Sequence, residues 1–321
     1  MRFILLRALL IGLVTVLPGM HTVAADDRPL SVGYFLHWPS PLVAAISNGD
    51  FESELGVDIE WRPQESGYDM NRGLANGDLD IAFSHEVVPL LELLNSGADV
   101  FVAAIAVSYP DYDGCVIGYH ADSKESLRIA TIKGSISHFR ALKALNHLGI
   151  DTDNIEWVFV GDGSAVAKAL YHKKVDVGCA YGGPTQRMLE WGSPLVSGSQ
   201  LDQLGFHYFD VVTVSRSKAD TRPELLTGFI TILDRLNQEY SADTRAARLR
   251  LAKAAGLKPK NADVFLDMFQ FPRASEQADA GWLGGQVQEY FEELGLFLAS
   301  HGKLDQSIDD YSNYIDTGFL K

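Results

Sequence analysis

The chain has 321 residues, of which 46% are hydrophobic and 21% are charged, a composition typical of a soluble globular protein with one large domain or two medium ones. It carries 27 basic and 42 acidic residues, which gives a net charge of −15 at pH 7. Such an acidic surface repels nucleic acid and anionic lipid, so we expect neither as a partner.

The first 25 residues have the pattern of a signal peptide. Arg2 and Arg7 form a positive start, an apolar run follows, and residues 23–25 offer small side chains for cleavage. Pro18 breaks the apolar run, which is shorter than the roughly 20 residues that a membrane span needs. We therefore predict that residues 1–25 are removed on export and that the mature protein is periplasmic or lies outside the cell.

The chain contains two similar halves at an offset of 96 residues, the separation of Glu60 and Glu156. Three pairs of segments align in this one frame: 31–41 with 127–137, 56–61 with 152–157, and 72–83 with 168–179. Three matches in one frame indicate two modules of the same architecture.

Each module is predicted as strand, helix, strand, helix, strand. The predicted strands are 30–35, 57–62, 79–83, 127–132, 155–160 and 175–180, and the predicted helices are 40–55, 68–76, 137–148 and 164–172. Apolar strands that alternate with helices imply mostly parallel sheets covered on both faces. The predicted fold class is therefore α/β, with two lobes, a cleft between them and two crossovers as a hinge.

The domain organisation follows from the repeat. Residues 26–117 are expected to form the first part of lobe one, and residues 118–211 to form lobe two. Residues 212–321 are expected to return to lobe one, where amphipathic helices pack against it.

The two cysteines lie in apolar runs. Cys115 and Cys179 are able to pair in an oxidising compartment, but the apolar surroundings favour buried free thiols, and we do not predict a disulfide.

Most candidate site residues lie in the loops that follow the strands, and Asp210 lies at the return crossover. Ligands of open parallel sheets bind beyond the carboxyl ends of the strands, so these loops of the two lobes are expected to face one another across the cleft. The candidate ligand-binding residues are Phe35, His37, Trp38, Glu65, Tyr68, Ser84, His85, Glu86, Asp113, Ser135, Ser137, His138, Tyr181, Tyr208 and Asp210. No spacing typical of a metal site or a catalytic motif is present, so we expect no catalytic residue, metal or cofactor.

The segment 134–138 is expected to open a helix and to bind an anion. Free backbone N–H groups and the helix dipole attract negative charge there, and Ser135 and Ser137 are expected to add hydroxyl donors. The alternative is a plain serine N-cap without a ligand.

Aromatic and acidic side chains complete the predicted site. Trp38 and Tyr181 are the best candidates to contact an aliphatic body or a cation, although such residues more often pack in a core. Asp210 is placed to pair with a ligand ammonium, the alternative being a surface carboxylate or a hinge hydrogen bond. Anion donors together with acids indicate a small zwitterion as the ligand.

At these residues the chain resembles the periplasmic substrate-binding proteins of the taurine, aliphatic sulfonate and nitrate class of ABC importers. The segments that carry the resemblance are RGLANGDLDIAF at 72–83, KGSISHFRALKALNHLGI at 133–150, FDVVTVSR at 209–216 and the tail at 298–320.

The resemblance implies a two-lobed protein that closes on its ligand. We predict that the protein is a monomer and that it delivers the ligand to a membrane permease and its ATPase. It implies that Asp210 holds the amino group of taurine and that residues 135–138 hold the sulfonate. Gly182 and Gly183 depart from the tryptophan common in the family, and SHEVVP at 84–89 replaces a loop of small residues. A methylated amine, a quaternary ammonium compound or an aminophosphonate therefore remains an alternative ligand.

Two other classes remain open at the level of sequence. The first is an enzyme similar to the thiamine-pyrimidine synthases, although two distant cysteines do not supply the cysteine-rich motif of those enzymes. The second is a sensor whose closed lobes dock to a signalling protein, because closure serves sensing and transport equally.

Overall fold

The structure is a computed structural model that describes residues 28–35, 40–121, 127–242, 244–254, 256 and 266–320. Its ten strands in the described residues are β1 (Leu30–Tyr34), β2 (Ile59–Pro63), β3 (Ile81–Glu86), β4 (Val100–Ser108), β5 (Cys115–Gly118), β6 (Arg128–Thr131), β7 (Glu156–Phe159), β8 (Val177–Cys179), β9 (Gly192–Pro194) and β10 (Phe209–Ser215). The predicted signal peptide, together with His37 and Trp38, lies outside the described residues.

Helices connect and cover these strands. The α-helices of the described residues are α1 (Pro41–Asn48), α2 (Asp50–Leu55), α3 (Gly67–Asn76), α4 (Val87–Asn95), α5 (Ile136–His147), α6 (Gly163–Tyr171), α7 (Gly183–Met188), α8 (Gly198–Gln203), α9 (Arg216–Thr221), α10 (Pro223–Ala242), α11 (Thr244–Ala254), α12 (Ala274–Gln277) and α13 (Gln286–Ser300). None of those described is long and apolar enough to cross a membrane.

The strands form two five-stranded sheets of corresponding order. The first sheet runs β2-β1-β3-β10-β4 and the second runs β7-β6-β8-β5-β9. In each sheet the first three strands are parallel, and the strand supplied by a crossover joins them antiparallel. The two-lobed α/β fold that the repeat predicts is confirmed.

A matching pair of acids shows the repeat at the level of single hydrogen bonds. Asp80 accepts the N–H of Ser31 at 2.9 Å in lobe one, and Asp176 accepts the N–H of Arg128 at 2.9 Å in lobe two. Each carboxylate also meets a cation, Lys218 in the first case and Arg128 in the second. The aligned aspartates therefore make the same hydrogen bond to the neighbouring strand, each within its own sheet.

The crossovers lie slightly earlier than the expected boundaries at 118 and 212. The chain has already entered the second sheet with β5 at Cys115 and has returned to the first with β10 at Phe209. The repeat marks the two modules but not the crossovers between them, so it did not fix the residue at which the chain changes sheets.

The C-terminal helices pack against lobe one. Phe229 of α10 lies 4.8 Å from Phe51 of α2, measured between ring centroids. Phe291 of α13 stacks on Phe209 of β10 at 6.3 Å. These contacts cover both faces of the first sheet and place α13 beside the return crossover.

The expectation of free thiols is wrong. Cys115 and Cys179 are direct partners in the antiparallel pairing of β5 with β8, and the structure joins them in a disulfide. Their Cα atoms are 4.1 Å apart, a separation set by strand register, which hydrophobic patterning does not reveal.

Candidate functional site

A cavity of about 230 Å³ lies between the two lobes, at the ends of the strands. Loops from both sheets line it, as the fold class predicts. Six of the fifteen candidate residues contribute to its wall: Tyr68, Glu86, Ser135, Tyr181, Tyr208 and Asp210.

Asp210 is the buried acid of the cavity. Its Oδ2 atom accepts hydrogen bonds from the Ser84 hydroxyl at 2.9 Å and from the Tyr109 hydroxyl at 2.7 Å. The residue is only 7% exposed, and this burial, reinforced by the nearby charge of Glu86, raises its pKa to about 7. Both bonds end on Oδ2, so neither occupies Oδ1.

The backbone of β3 is shaped to hold Asp210. Ser84 has φ of +62°, in the left-handed region that non-glycine residues rarely adopt. The register of β3 with β10 shifts between Val211 and Val212, which makes Ser84 the extra residue of a β-bulge. The bulge turns the Ser84 hydroxyl toward Asp210, so a strained position serves the site.

Glu86 is a second acid on the same wall. It is the direct partner of Asp210 in the antiparallel pairing of β3 with β10. Its Oε2 atom accepts the N–H of Gly67 at 2.9 Å, at the start of α3. A Cβ on Gly67 would lie 2.8 Å from this oxygen, so glycine permits the close approach. Desolvation raises the pKa of Glu86, and the bond from Gly67 opposes that rise.

Four tyrosines form the walls between the lobes. Tyr68 from lobe one and Tyr181 from lobe two are both partly exposed at the mouth, while Tyr208 and Tyr290 lie deeper. Burial raises the pKa of all four phenols, so they remain neutral hydrogen-bond donors at physiological pH. The buried guanidinium of Arg140 supports Tyr208, with its Cζ atom 5.0 Å from the ring centroid.

The opposite side of the cavity is positive. Lys133 and Lys303 both line it, together with the first turn of α5. In the described part of the chain no acceptor takes the N–H groups of Ile136 and Ser137. Gly134, with φ of +66°, brings the loop so close to Lys303 that a Cβ added to this glycine would lie 3.2 Å from the lysine side chain. The charges of the two lysines and the dipole of α5 therefore make this end of the cavity positive.

The serines act differently from the expectation. The Ser135 hydroxyl donates to the Ile132 carbonyl at 2.7 Å and accepts the N–H of His138 at 3.3 Å, so the N-cap uses its hydrogen. Ser137 is buried and does not line the cavity. Backbone N–H groups and two lysines, rather than serine hydroxyls, therefore supply the positive end.

His138 packs between the lobes and does not line the cavity. Its ring contacts Trp157 of β7 at 4.8 Å and, from α13 and its C-cap, Phe297 at 5.2 Å and His301 at 4.8 Å. Burial, followed by the charges of His301 and Lys133, lowers its pKa to about 4. It is therefore neutral at physiological pH and acts as a packing residue.

The remaining described candidates lie outside the cavity wall. Phe35 packs against the lobe-one core, and Glu65 lies in the loop before α3. His85 is buried and bonds to Thr213, and burial lowers its pKa to about 3. Asp113 accepts the N–H of Gly198 at 2.8 Å at the first crossover.

Sequence reasoning missed Tyr290 and Lys303. Both come from α13 or the turn after it, outside the repeated modules, so no equivalent in the other half marks them. Lys133 lies directly before the predicted anion-binding segment, and its charge is the signal that could have added it to the candidates.

The fold and cavity define a two-lobed α/β binding protein with an acidic end, a basic end and aromatic walls. No protein-family model matches the chain. It is 24% identical over 290 residues to the taurine-binding periplasmic protein of Escherichia coli (strain K12), covering 88% of this chain and 89% of that relative.

Solved structures give the same fold. The periplasmic aliphatic sulphonate binding protein SsuA of Escherichia coli superposes with a TM-score of 0.70 at 18% identity, covering 88% of this chain and 90% of that one. SsuA of Xanthomonas axonopodis pv. citri, bound to MOPS, superposes with a TM-score of 0.56 at 21% identity, covering 82% of this chain and 95% of that one. The desulfurization enzyme DszB superposes with a TM-score of 0.62 at 15% identity, covering 91% of this chain and 98% of that one. The predicted resemblance to the taurine and sulfonate class of substrate-binding proteins is confirmed.

Proposed function

We propose that this chain is the solute-binding component of an ABC importer and captures a small zwitterionic sulfonate, with taurine as the first candidate. The ligand ammonium pairs with Asp210, and the sulfonate lies at the start of α5 beside Lys133. Closure of the lobes buries the ligand, and the closed protein delivers it to a membrane permease and its ATPase.

The observation that carries this proposal is the opposite charge of the two ends of one cavity. A buried carboxylate favours a cation, while open N–H groups at a helix start and nearby lysines favour an anion. The taurine-binding and sulfonate-binding names of the relatives support the same ligand class. The tyrosine walls leave room for a short aliphatic chain between the charges.

We propose that no chemical step follows capture, although a desulfurization enzyme shares the fold. The support for this proposal is that the taurine-binding and sulphonate-binding relatives are named as binding proteins. Mass spectrometry of taurine recovered after long incubation tests this point. Release of sulfite or loss of the amine would show that the protein is an enzyme.

We also propose that the mature protein begins near residue 26 and works in the periplasm as a monomer. The acidic composition and the predicted signal peptide support this location. The intact mass of protein recovered from the periplasm tests the cleavage, and light scattering tests the monomer.

The deciding experiment is titration calorimetry of the mature chain with matched ligands. We expect taurine to bind, while ethanesulfonate and ethylamine, which each lack one charge, bind at least about tenfold more weakly, the equivalent of about 1.4 kcal/mol. 2-Aminoethylphosphonate tests whether the basic end prefers sulfonate. If ethanesulfonate binds as tightly as taurine, the acidic end does not hold an amine and the zwitterion proposal fails.

A further inference from the structure

We propose that Glu86 is a specificity-determining residue that forms, with Asp210, a two-carboxylate site for a cation carrying N–H donors on two edges, best matched by a guanidinium. This inference rests on the proposed function, since it assumes that the cavity binds a small zwitterion. It deepens that proposal by assigning the cationic half of the ligand.

The two carboxylates are positioned as a pair. Glu86 and Asp210 are direct partners on neighbouring antiparallel strands, and both line the same cavity. Side chains of direct partners point to one face of a sheet, with Cβ atoms about 5 Å apart. One oxygen of each group is fixed by the protein, through Gly67 for Glu86 and through Ser84 and Tyr109 for Asp210. The second oxygen of each carboxylate takes no part in these bonds.

The pair has no basic partner within the described ranges. None of the ion pairs of the described residues includes Glu86 or Asp210. Two like charges directly opposite one another on a sheet are unfavourable, and a buried charge without a partner is more so. A cationic ligand removes both penalties when it contacts both groups at once.

The shape and hydration of the cation distinguish the possible ligands. A guanidinium carries five N–H donors in a planar fork and presents separate edges to two carboxylates. It is also less strongly hydrated than an ammonium, which suits a cavity walled by tyrosines, and it stacks on aromatic rings. A quaternary ammonium has no N–H donor and therefore gives neither carboxylate a hydrogen bond from the ligand.

The test compares three sulfonates by calorimetry at pH 8: 2-guanidinoethanesulfonate, taurine and N,N,N-trimethyltaurine. The proteins are wild type, Glu86→Gln and the control Glu156→Gln, which removes the same charge from an exposed position on β7. Glutamine keeps an oxygen to accept the Gly67 N–H, so the local fold is retained, and thermal unfolding verifies this.

In wild type we expect the guanidino compound to bind at least about tenfold more tightly than taurine, and the trimethyl compound at least about tenfold more weakly. Glu86→Gln should remove most of the preference for the guanidino compound over taurine and should change taurine affinity by less than about threefold. Glu156→Gln should bind all three sulfonates with wild-type affinity. Equal affinity of wild type for taurine and the guanidino compound, or an equal loss for both in Glu86→Gln, would overturn the role of Glu86 and leave the proposed function standing. If wild type binds none of the three, the proposed function fails and this inference fails with it.

Discussion

Replacing Asp210 with asparagine is expected to stabilise the empty protein while it weakens ligand binding. In the folded chain burial raises the pKa of Asp210 to about 7, whereas the ordinary value is 3.8. The folded state therefore holds the proton more tightly than the unfolded chain does, so stability falls as the pH rises from about 4 to about 7. The penalty is fully present above pH 7, where the carboxylate must be charged in its buried place.

The magnitude follows from that difference. About three pH units correspond to about 4 kcal/mol, since one unit is about 1.36 kcal/mol. Asparagine is nearly isosteric, and its oxygen still accepts hydrogen bonds from Ser84 and Tyr109, but it carries no charge. Its amide N–H₂ then faces the ligand ammonium, so a charge-assisted contact is lost. We expect taurine affinity to fall by about 3 kcal/mol, which is roughly 150-fold.

Urea unfolding of the empty protein at pH 5 and pH 8 measures the first effect, and calorimetry at pH 8 measures the second. At pH 8 Asp210→Asn should exceed wild type in stability by up to about 4 kcal/mol, and at pH 5, about 1.2 units above the ordinary pKa, by less than half of that. Asp78→Asn, at an exposed position of the same lobe, is the control for loss of one negative charge. A wild type as stable as Asp210→Asn at pH 8, or unchanged taurine affinity in that variant, would refute the reasoning.

Three further predictions follow from the same contacts. Ser84→Gly should keep or raise the melting temperature, because glycine adopts φ of +62° without strain, while loss of one donor to Asp210 lowers taurine affinity about fivefold in calorimetry. Lys133→Met should lower sulfonate affinity about tenfold and reduce its dependence on salt, measured by titration at two ionic strengths. Replacing both Cys115 and Cys179 with alanine opens a link between residues 64 apart, so urea unfolding should show a loss of about 4 kcal/mol, with taurine affinity retained.

The repeat made much of the fold predictable. Strand and helix periodicity is a local property, so the β-α-β pattern of each half was visible in the sequence, and the corresponding sheet orders confirm it. Asp210 was placed at the return crossover by its apolar neighbours and by the family resemblance of the segment 209–216, and β10 pairs with β3 there. The register of the strands could not be predicted from the sequence, because it depends on which residues pair across neighbouring strands. The disulfide between Cys115 and Cys179 was therefore missed.

The site was predictable in outline and less so in detail. His85 and Glu86 are neighbours in β3, yet only Glu86 lines the cavity while His85 is buried against Thr213, because successive strand residues face opposite sides. The bulge at Ser84 changes that alternation, and a bulge leaves no reliable signal in the sequence. Tyr290 belongs to the site only through the packing of α13, a tertiary contact that periodicity does not locate.

Specificity and closure depend on the same contacts in this arrangement. The acids of the cavity belong to lobe one, whereas Lys133 and the start of α5 belong to lobe two. Under the proposed function, a ligand with only a positive charge would satisfy Asp210 but would have no contact that draws lobe two inward. A ligand with only a negative charge would meet Lys303 of lobe one as well as Lys133 of lobe two, and would leave the acids without a cation. We expect a zwitterion of matching length to bridge the two lobes and to offset the unfavourable pairing of Asp210 with Glu86. We therefore expect the like-charged pair to disfavour the empty site, and the charge of the ligand, rather than its shape alone, to govern closure.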